Sequence, residues 1–424
     1  MSLHHTILSR TLENGLTILG VPVPGTEAVT TFVTVASGAR NESDEQQGLA
    51  HFAEHMFFKG GARYTSTKQI SEALDGVGGE FNAFTGHEST SYYTKTAAEH
   101  AVLGMDILSD MLLHPRFPAE ELERERGVII EEINMYNDMP MRQVEMVAQK
   151  LLFGDTPLGR SILGTKESVS AFSPDDFFRY HGDRYVAARS VVVIAGAVTE
   201  VLMEEAAQRF SGMPTGEVYS PVPAVLQTDA LVNLETRESE QTHLVITFPG
   251  LPQGHPKRAA LLVLSTLLGG SMSSRLFLRV REEQGLCYYV RSGVDSYTDI
   301  GLVTISAGVD NKRFGNAVQA IIKELHDLAA GGATDEEVER AKQNRLGRTA
   351  LSMEDGEQVA NYYSEQFVLE GSTRTPAERL AEIERVTTAD IHALAAELIQ
   401  ANEFRLAAVG PQSDVAAVEQ WLRG

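Results

Sequence analysis

The chain has 424 residues, 43% hydrophobic and 22% charged, with a formal charge of −22. This is room for two or more domains with sizeable cores. No apolar run approaches the roughly 20 residues of a membrane helix, the charge argues against nucleic acid and anionic membranes, and one cysteine, Cys287, excludes an internal disulfide and a thiolate metal cluster.

The cysteine count fits a reducing, cytoplasmic home, with an organelle matrix left open. The negative charge has two readings, attraction of basic substrates or simple solubility.

The first 20 residues, "MSLHHTILSRTLENGLTILG", lack the charged and apolar regions of a secretory signal. They read instead as alternating residues, the turn "ENG" and a strand "LTILGV". A second strand, "TTFVTVASG" (30–38), precedes the stretch "GLAHFAEHMFFKG" (48–60), whose apolar spacing is that of a helix. "KGGARY" (59–64) is a loop and not a phosphate cradle, because no strand precedes it and GK-[ST] is missing. "DGVGGEF" turns into a further strand. "EELERERGVIIEEINMYND" (120–138) is strongly helical.

The second part of the chain repeats the first. "FSPDDFFRYHGDRYVAARSVVVIAG" (172–196) aligns with "VTTADIHALAAELIQANEFRLAAVG" (386–410) at an offset of 214. Each reads as a helix capped by Ser173 or Thr387, then a strand ending in Gly196 or Gly410. "PAEELER" (118–124) matches "TDEEVER" (334–340) at 216, and "TTFVTVASG" matches "THLVITFPG" (242–250) at 212. Segments in the same order with slightly drifting offsets point to duplication. The proline-rich "MPTGEVYSPVPAV" (213–225) reads as a linker between domains 1–212 and 226–424. Strands mixed with helices in each domain make the class α+β.

The offset of 212 maps His51–His55 onto "VLSTL" (263–267), which has neither histidine nor glutamate. The polar set therefore belongs to one copy only. Residues i and i+4 of a helix stack on one face, so His51 and His55 can aim two imidazoles at one zinc ion. Glu54 lies about 60° from His51 on the helical arc. It can reach a metal-bound water without ligating the metal. H-x-x-E-H is the reverse of H-E-x-x-H, and both orders set a carboxylate beside a histidine pair.

A third ligand comes from residues 120–138. Leu122, Glu125, Ile129, Glu132 and Tyr136 share one face, and carboxylates on an apolar stripe are costly without a cation. Glu132 is the expected ligand, with Glu125 behind it to orient a histidine. Glu131 falls about 100° away with Arg124 and Asn134. Two histidines and one glutamate leave a tetrahedral position for water, as in catalytic zinc sites. Zinc lowers the pKa of such a water toward 7, Glu54 takes its proton, and the leaving amine receives it. The chemistry so described is metal-assisted peptide hydrolysis.

"HFAEH", with Glu132 following His55 by 77 residues, resembles the pitrilysin family of zinc peptidases. "GGEFNAFTGHESTSYY" (78–93), "ERERGVIIEEI" and "LGGSMSSRLFLRVREEQGLCYYV" (268–290) are similar to further family segments. The length resembles that of the short, processing-peptidase-like members. The resemblance implies one zinc per chain on His51, His55 and Glu132, Glu54 as general base and Glu125 as its support. It also implies a substrate strand lying along Asn82 and Ala83, and Arg281 and Tyr288 reaching substrate and oxyanion from the second half. Two duplicated α/β-layered domains would face each other as a clamshell, in a homodimer or in a heterodimer with a related chain. Ser271 and Cys287 depart from the more usual residues at their positions. A zinc endopeptidase acting on extended or unfolded peptides is thus expected, with a non-catalytic assembly subunit or a peptide-binding module as alternatives. His87, His100, His114 and His181 lack partners at ligand spacing and read as surface or cap residues.

Overall fold

The computed structural model describes residues 3–218, 220–227, 229–400 and 403–423. Tyr219 of the expected linker and Ala401 and Asn402 of the repeat lie outside them. The alternating N-terminal residues form β1 (Leu8–Thr11), and Gly15, at φ 91°, makes the turn into β2 (Thr17–Pro22). β3 (Ala28–Val35) is followed by helices α1 (Leu49–Phe57) and α2 (Thr67–Asp75). The hairpin of β4 (Glu80–Thr85) and β5 (Thr90–Ala97) leads to α3 (Ala101–Leu113), α4 (Ala119–Asp138) and α5 (Pro140–Phe153). β6 (Ser190–Gly196) completes a six-stranded sheet of order β1-β2-β6-β3-β5-β4.

A second sheet holds β7 (Val232–Thr236), β8 (Gln241–Pro249), β9 (Cys287–Ser296), β10 (Gly301–Asp310) and β11 (Arg405–Gly410). Its order, β7-β11-β8-β10-β9, reproduces β2-β6-β3-β5-β4 of the first. The senses agree as well: β2 is parallel to β6 as β7 is to β11, and the remaining neighbours are antiparallel. The two capped helices recur as expected. Ser173 and Thr387 each share a capping box with Asp176 or Asp390, and Gly196 and Gly410 each end a strand.

Strand register corrects one offset. Ala195 faces Thr30 and Val409 faces His243, so β3 matches β8 at 213 and not 212. Side chains alternate faces along a strand, so a slip of one would put each residue on the wrong side of its sheet.

The chain forms two compact units. The first contains residues 1–133, 161–222 and 350–376, the second 134–160, 223–349 and 377–424. Neither is a continuous stretch. In the first unit the helix Gly356–Glu370 lays Val359, Ala360 and Tyr363 on Phe32 of β3 and Val193 of β6. In the second, α5 lays Val144, Ala148 and Leu151 on Val245 of β8 and Ala407 and Val409 of β11. Each sheet is thus covered by a helix distant in sequence. Among the described residues no helix is long and apolar enough to cross a membrane.

Candidate metal centre

α1 buries Phe52, Ala53, Met56 and Phe57 in the core. Phe52 meets Phe177 edge-on at 5.0 Å and Phe57 meets Phe117 at 5.3 Å. With that face committed, His51, Glu54 and His55 take the remaining arc. The start of the helix is held by Glu42, a buried carboxylate accepting from the backbone N–H groups of Gly48 (2.9 Å) and Ala50 (2.7 Å). These are orphan donors of a helix N-terminus, where negative charge is favourable. Gly48 is left-handed (φ 87°), and a Cβ there would lie 2.6 Å from the Leu163 carbonyl oxygen. Glycine is required by both constraints.

α4 brings its carboxylates to α1. Nε2 of His51 is 3.6 Å, and Nε2 of His55 3.9 Å, from Oε2 of Glu132. The potential ligand atoms of these three side chains all lie within 4.8 Å of one another. Among the described residues no other group of three His, Cys, Asp or Glu side chains is so placed. Glu125 sits one step back, its Oε1 2.8 Å from Nδ1 of His55. That contact fixes the ring so that Nε2 turns toward Glu132. Lys59 pairs with the other oxygen of Glu125. Glu131 is exposed, as its place on the helical arc implies.

The electrostatics suit a cation. Burial, and then the neighbouring His55, push His51 down to about 3, so its imidazole is neutral and free to ligate. Burial opposes charge on His55, but the Glu125 hydrogen bond and the charges of Glu54, Glu125 and Glu132 carry its pKa above the ordinary value. Burial raises Glu132. For Glu125 burial is outweighed by hydrogen bonds from His55 and Lys59, and the net direction is down. Two imidazole nitrogens and one carboxylate oxygen, one ring braced from behind, are a donor set that fits zinc.

Glu54 flanks the three without joining them. Burial raises its pKa, and the Thr85 hydroxyl donates to its Oε2 at 2.5 Å. Thr85 ends β4, the edge strand of its sheet, which also carries Asn82 and Ala83. Asn82 is exposed and its Oδ1 accepts from the Ala83 N–H at 2.9 Å.

The other two expected residues belong to the second unit. Arg281 lies in a π-helical stretch, Phe277–Glu282, over the Phe277 ring at 4.5 Å. Tyr288 projects from β9 and is 73% exposed.

Lys59, Thr85 and Glu42 escaped the sequence reading. Lys59 follows His55 by four residues, a spacing that could have signalled it. Thr85 and Glu42 have no such spacing. Of the remaining histidines, His100 and His114 cap α3. His181 is not a surface residue: it packs against Phe57 and Tyr185, with Nε2 2.8 Å from the Leu112 carbonyl oxygen.

Residues 20–166 match the family model described as insulinase (peptidase family M16), and residues 171–345 that of the peptidase M16 inactive domain. An uncharacterized zinc protease of Bacillus subtilis, YmxG, is 35% identical over 96% of this chain and 98% of its own length. Another, of Streptomyces coelicolor, is 34% identical over 97% and 91%. The chain belongs to peptidase family M16, the pitrilysin family. In fold it is similar to a protease from Helicobacter pylori (TM-score 0.88, 19% identity, 96% of this chain and 100% of that one). A peptidase M16 inactive domain from Pseudomonas fluorescens gives a TM-score of 0.90 at 17% identity, covering 96% and 98%.

Proposed function

We propose that the chain is a zinc-dependent endopeptidase that hydrolyses peptide bonds in extended or unfolded peptides. The observation that carries this reading is the convergence of His51 Nε2, His55 Nε2 and Glu132 Oε2 beside a half-buried Glu54 that takes no part in the cluster. His51, His55 and Glu132 hold one zinc ion, which supplies Lewis acidity to a water and to the scissile carbonyl.

The protein's own groups do the rest. Thr85 anchors Oε2 of Glu54 and sets the carboxylate's direction. Burial raises the Glu54 pKa, which favours a carboxylate that both accepts a proton and returns it. Glu54 takes the proton of the attacking water and delivers it to the leaving amine. Glu125, paired with Lys59, keeps His55 oriented. The free edge of β4 offers backbone groups to an extended peptide at Asn82 and Ala83, a mode open to a flexible chain and closed to a folded domain. Residues 1–212 supply the metal site, 213–225 a linker, and 226–424 the substrate contacts Arg281 and Tyr288. The working form is a dimer, with itself or with a related chain.

Incubation of the purified chain with a peptide library, with and without chelator, tests this by mass spectrometry alongside metal analysis. Chelator-sensitive cleavage at about one zinc per chain supports it. Stoichiometric zinc without cleavage overturns it in favour of an assembly subunit or a peptide-capture module.

A further inference from the structure

The face of the second sheet beneath α5 holds a solvent-open cavity of about 360 Å3 within the second unit. The matching face of the first sheet shows what is missing. There Phe32 stacks on Tyr93 at 4.8 Å and meets Phe84 at 6.2 Å. Strand register pairs Phe32 with Tyr93 and Phe84 with Ser91, as it pairs Val245 with Ser306 and Gly293 with Thr304. Phe32, Tyr93 and Phe84 of one copy thus become Val245, Ser306 and Gly293 of the other. Three rings have given way to small or polar residues, and all three replacements line the cavity.

The exposed wall is built to accept hydrogen bonds. Asp295 lines the mouth of the cavity, and its solvent-accessible carboxylate makes no hydrogen bond or ion pair among the described residues. Its carboxyl is held above the usual range by burial and by Glu145. Glu145 itself is paired with Arg291 at 3.1 Å, so Asp295 is the charge left over. Thr247, 1% exposed and lining the same cavity, has a hydroxyl without a hydrogen-bond partner among the described residues. Its counterpart Thr34 bonds Ser91 at 2.9 Å. The buried Thr247 hydroxyl is costly unless a partner comes to it, and Asp295, solvent-accessible at the cavity mouth, adds an unpaired negative charge beside it.

We infer that this cavity binds a small organic cation, an amine or guanidinium compound whose N–H groups are received by Asp295 with Thr247 and Ser306 around it. A primary ammonium offers three donors and a guanidinium five, and either neutralises the one unpaired acid. The volume suits a compound the size of a diamine or a free basic amino acid. The inference is independent of the peptidase reading, since none of these residues belongs to the metal centre.

Isothermal titration of the intact, zinc-loaded chain tests it with putrescine, free arginine and, as the uncharged control, 1,4-butanediol. At least one cation binds, the diol does not, and D295N weakens binding by about fivefold, roughly what one solvent-accessible charge pair contributes. S306Y, which restores the ring of the other copy, abolishes binding by filling the space. Circular dichroism and zinc content verify that both variants are folded. A peptide bearing arginine, added to the E54Q chain, distinguishes the source. Saturable binding of the peptide alone, lost in D295N, keeps the guanidinium site and assigns the cation to a peptide side chain. No binding by any cation, or binding indifferent to both D295N and S306Y, overturns the proposal.

Discussion

The two sheets agree in strand order, in strand sense and in being covered by a sequence-distant helix, yet the helix after the long strand differs completely in chemistry. After β3, α1 carries His51, Glu54 and His55. After β8, the helix Arg258–Gly269 buries Val263, Leu264, Ser265, Thr266 and Leu267. Its hydroxyls are satisfied locally, Thr266 by the Leu262 carbonyl at 2.8 Å and Ser265 by Ser292 at 3.2 Å. The second copy folds without imidazoles, so the fold does not need them. A polar set that one copy of a duplicated scaffold does without is there for chemistry. The aromatic set on the covered sheet face is distributed the same way, filling one copy and leaving a cavity in the other.

The largest expected effect comes from Glu54, which flanks the cluster without joining it. E54Q keeps its zinc and loses turnover by roughly a thousandfold, within the range of a positioned general base. Near wild-type cleavage by the zinc-loaded variant would remove Glu54 from the mechanism. E132Q loses most of its bound metal while E131Q retains it. Atomic absorption on the two variants decides which face of α4 serves the centre, and the opposite result would reassign the third ligand.

R281A then probes the copy without ligands. An oxyanion-type contact is worth about a hundredfold in kcat/KM at full zinc occupancy. A loss below threefold would make the second copy a scaffold. The intact chain is the proper subject, because residues 1–212 alone would lack the helix Gly356–Glu370 that covers the first sheet. E125Q weakens zinc binding by about tenfold, the lower range for a residue that orients a ligand, and leaves kcat at saturating zinc largely intact.

The smallest effect is one of pH. In the metal-free protein His55 and Glu132 both hold protons to higher pH than usual, while His51 is already neutral. A proton on His55 or Glu132 competes with the metal. Zinc affinity is therefore full above the raised His55 pKa and falls as pH drops through it, earlier than for an ordinary imidazole. Competition titrations with a chromophoric chelator across this range check the sign. Affinity flat to below the normal histidine range would show that His55 is not a ligand.

Much of this was written locally. The spacing of His51 and His55, and the face shared by Glu125 and Glu132, follow from 3.6 residues per turn and needed only the sequence. The paired caps at Ser173 and Thr387 were equally legible, because a capping side chain bonds backbone within three residues of itself. The repeat emerged from three short segments, but its strand register did not. Identities favour 212, with three of nine residues matched against one at 213, and only the hydrogen bonding between β8 and β11 corrects the register.

Other features depended on distance in space. Glu42 caps α1 from six residues before Gly48, through a turn with no periodicity. Thr85 meets Glu54 because a hairpin strand ends beside a helix 31 residues away. α5 follows α4 in sequence but covers the second sheet, while the helix Gly356–Glu370 covers the first. The reason is that an amphipathic helix specifies that its apolar face be buried and not which sheet buries it. Sequence by itself provided the family, the grouping of His51, His55 and Glu132 into a candidate metal centre, and the duplicated element order, all coded by short local patterns. Tertiary structure alone decided which sheet each helix covers, which groups stand behind the ligands and where the second copy is hollow, because those depend on contacts between elements far apart in the chain.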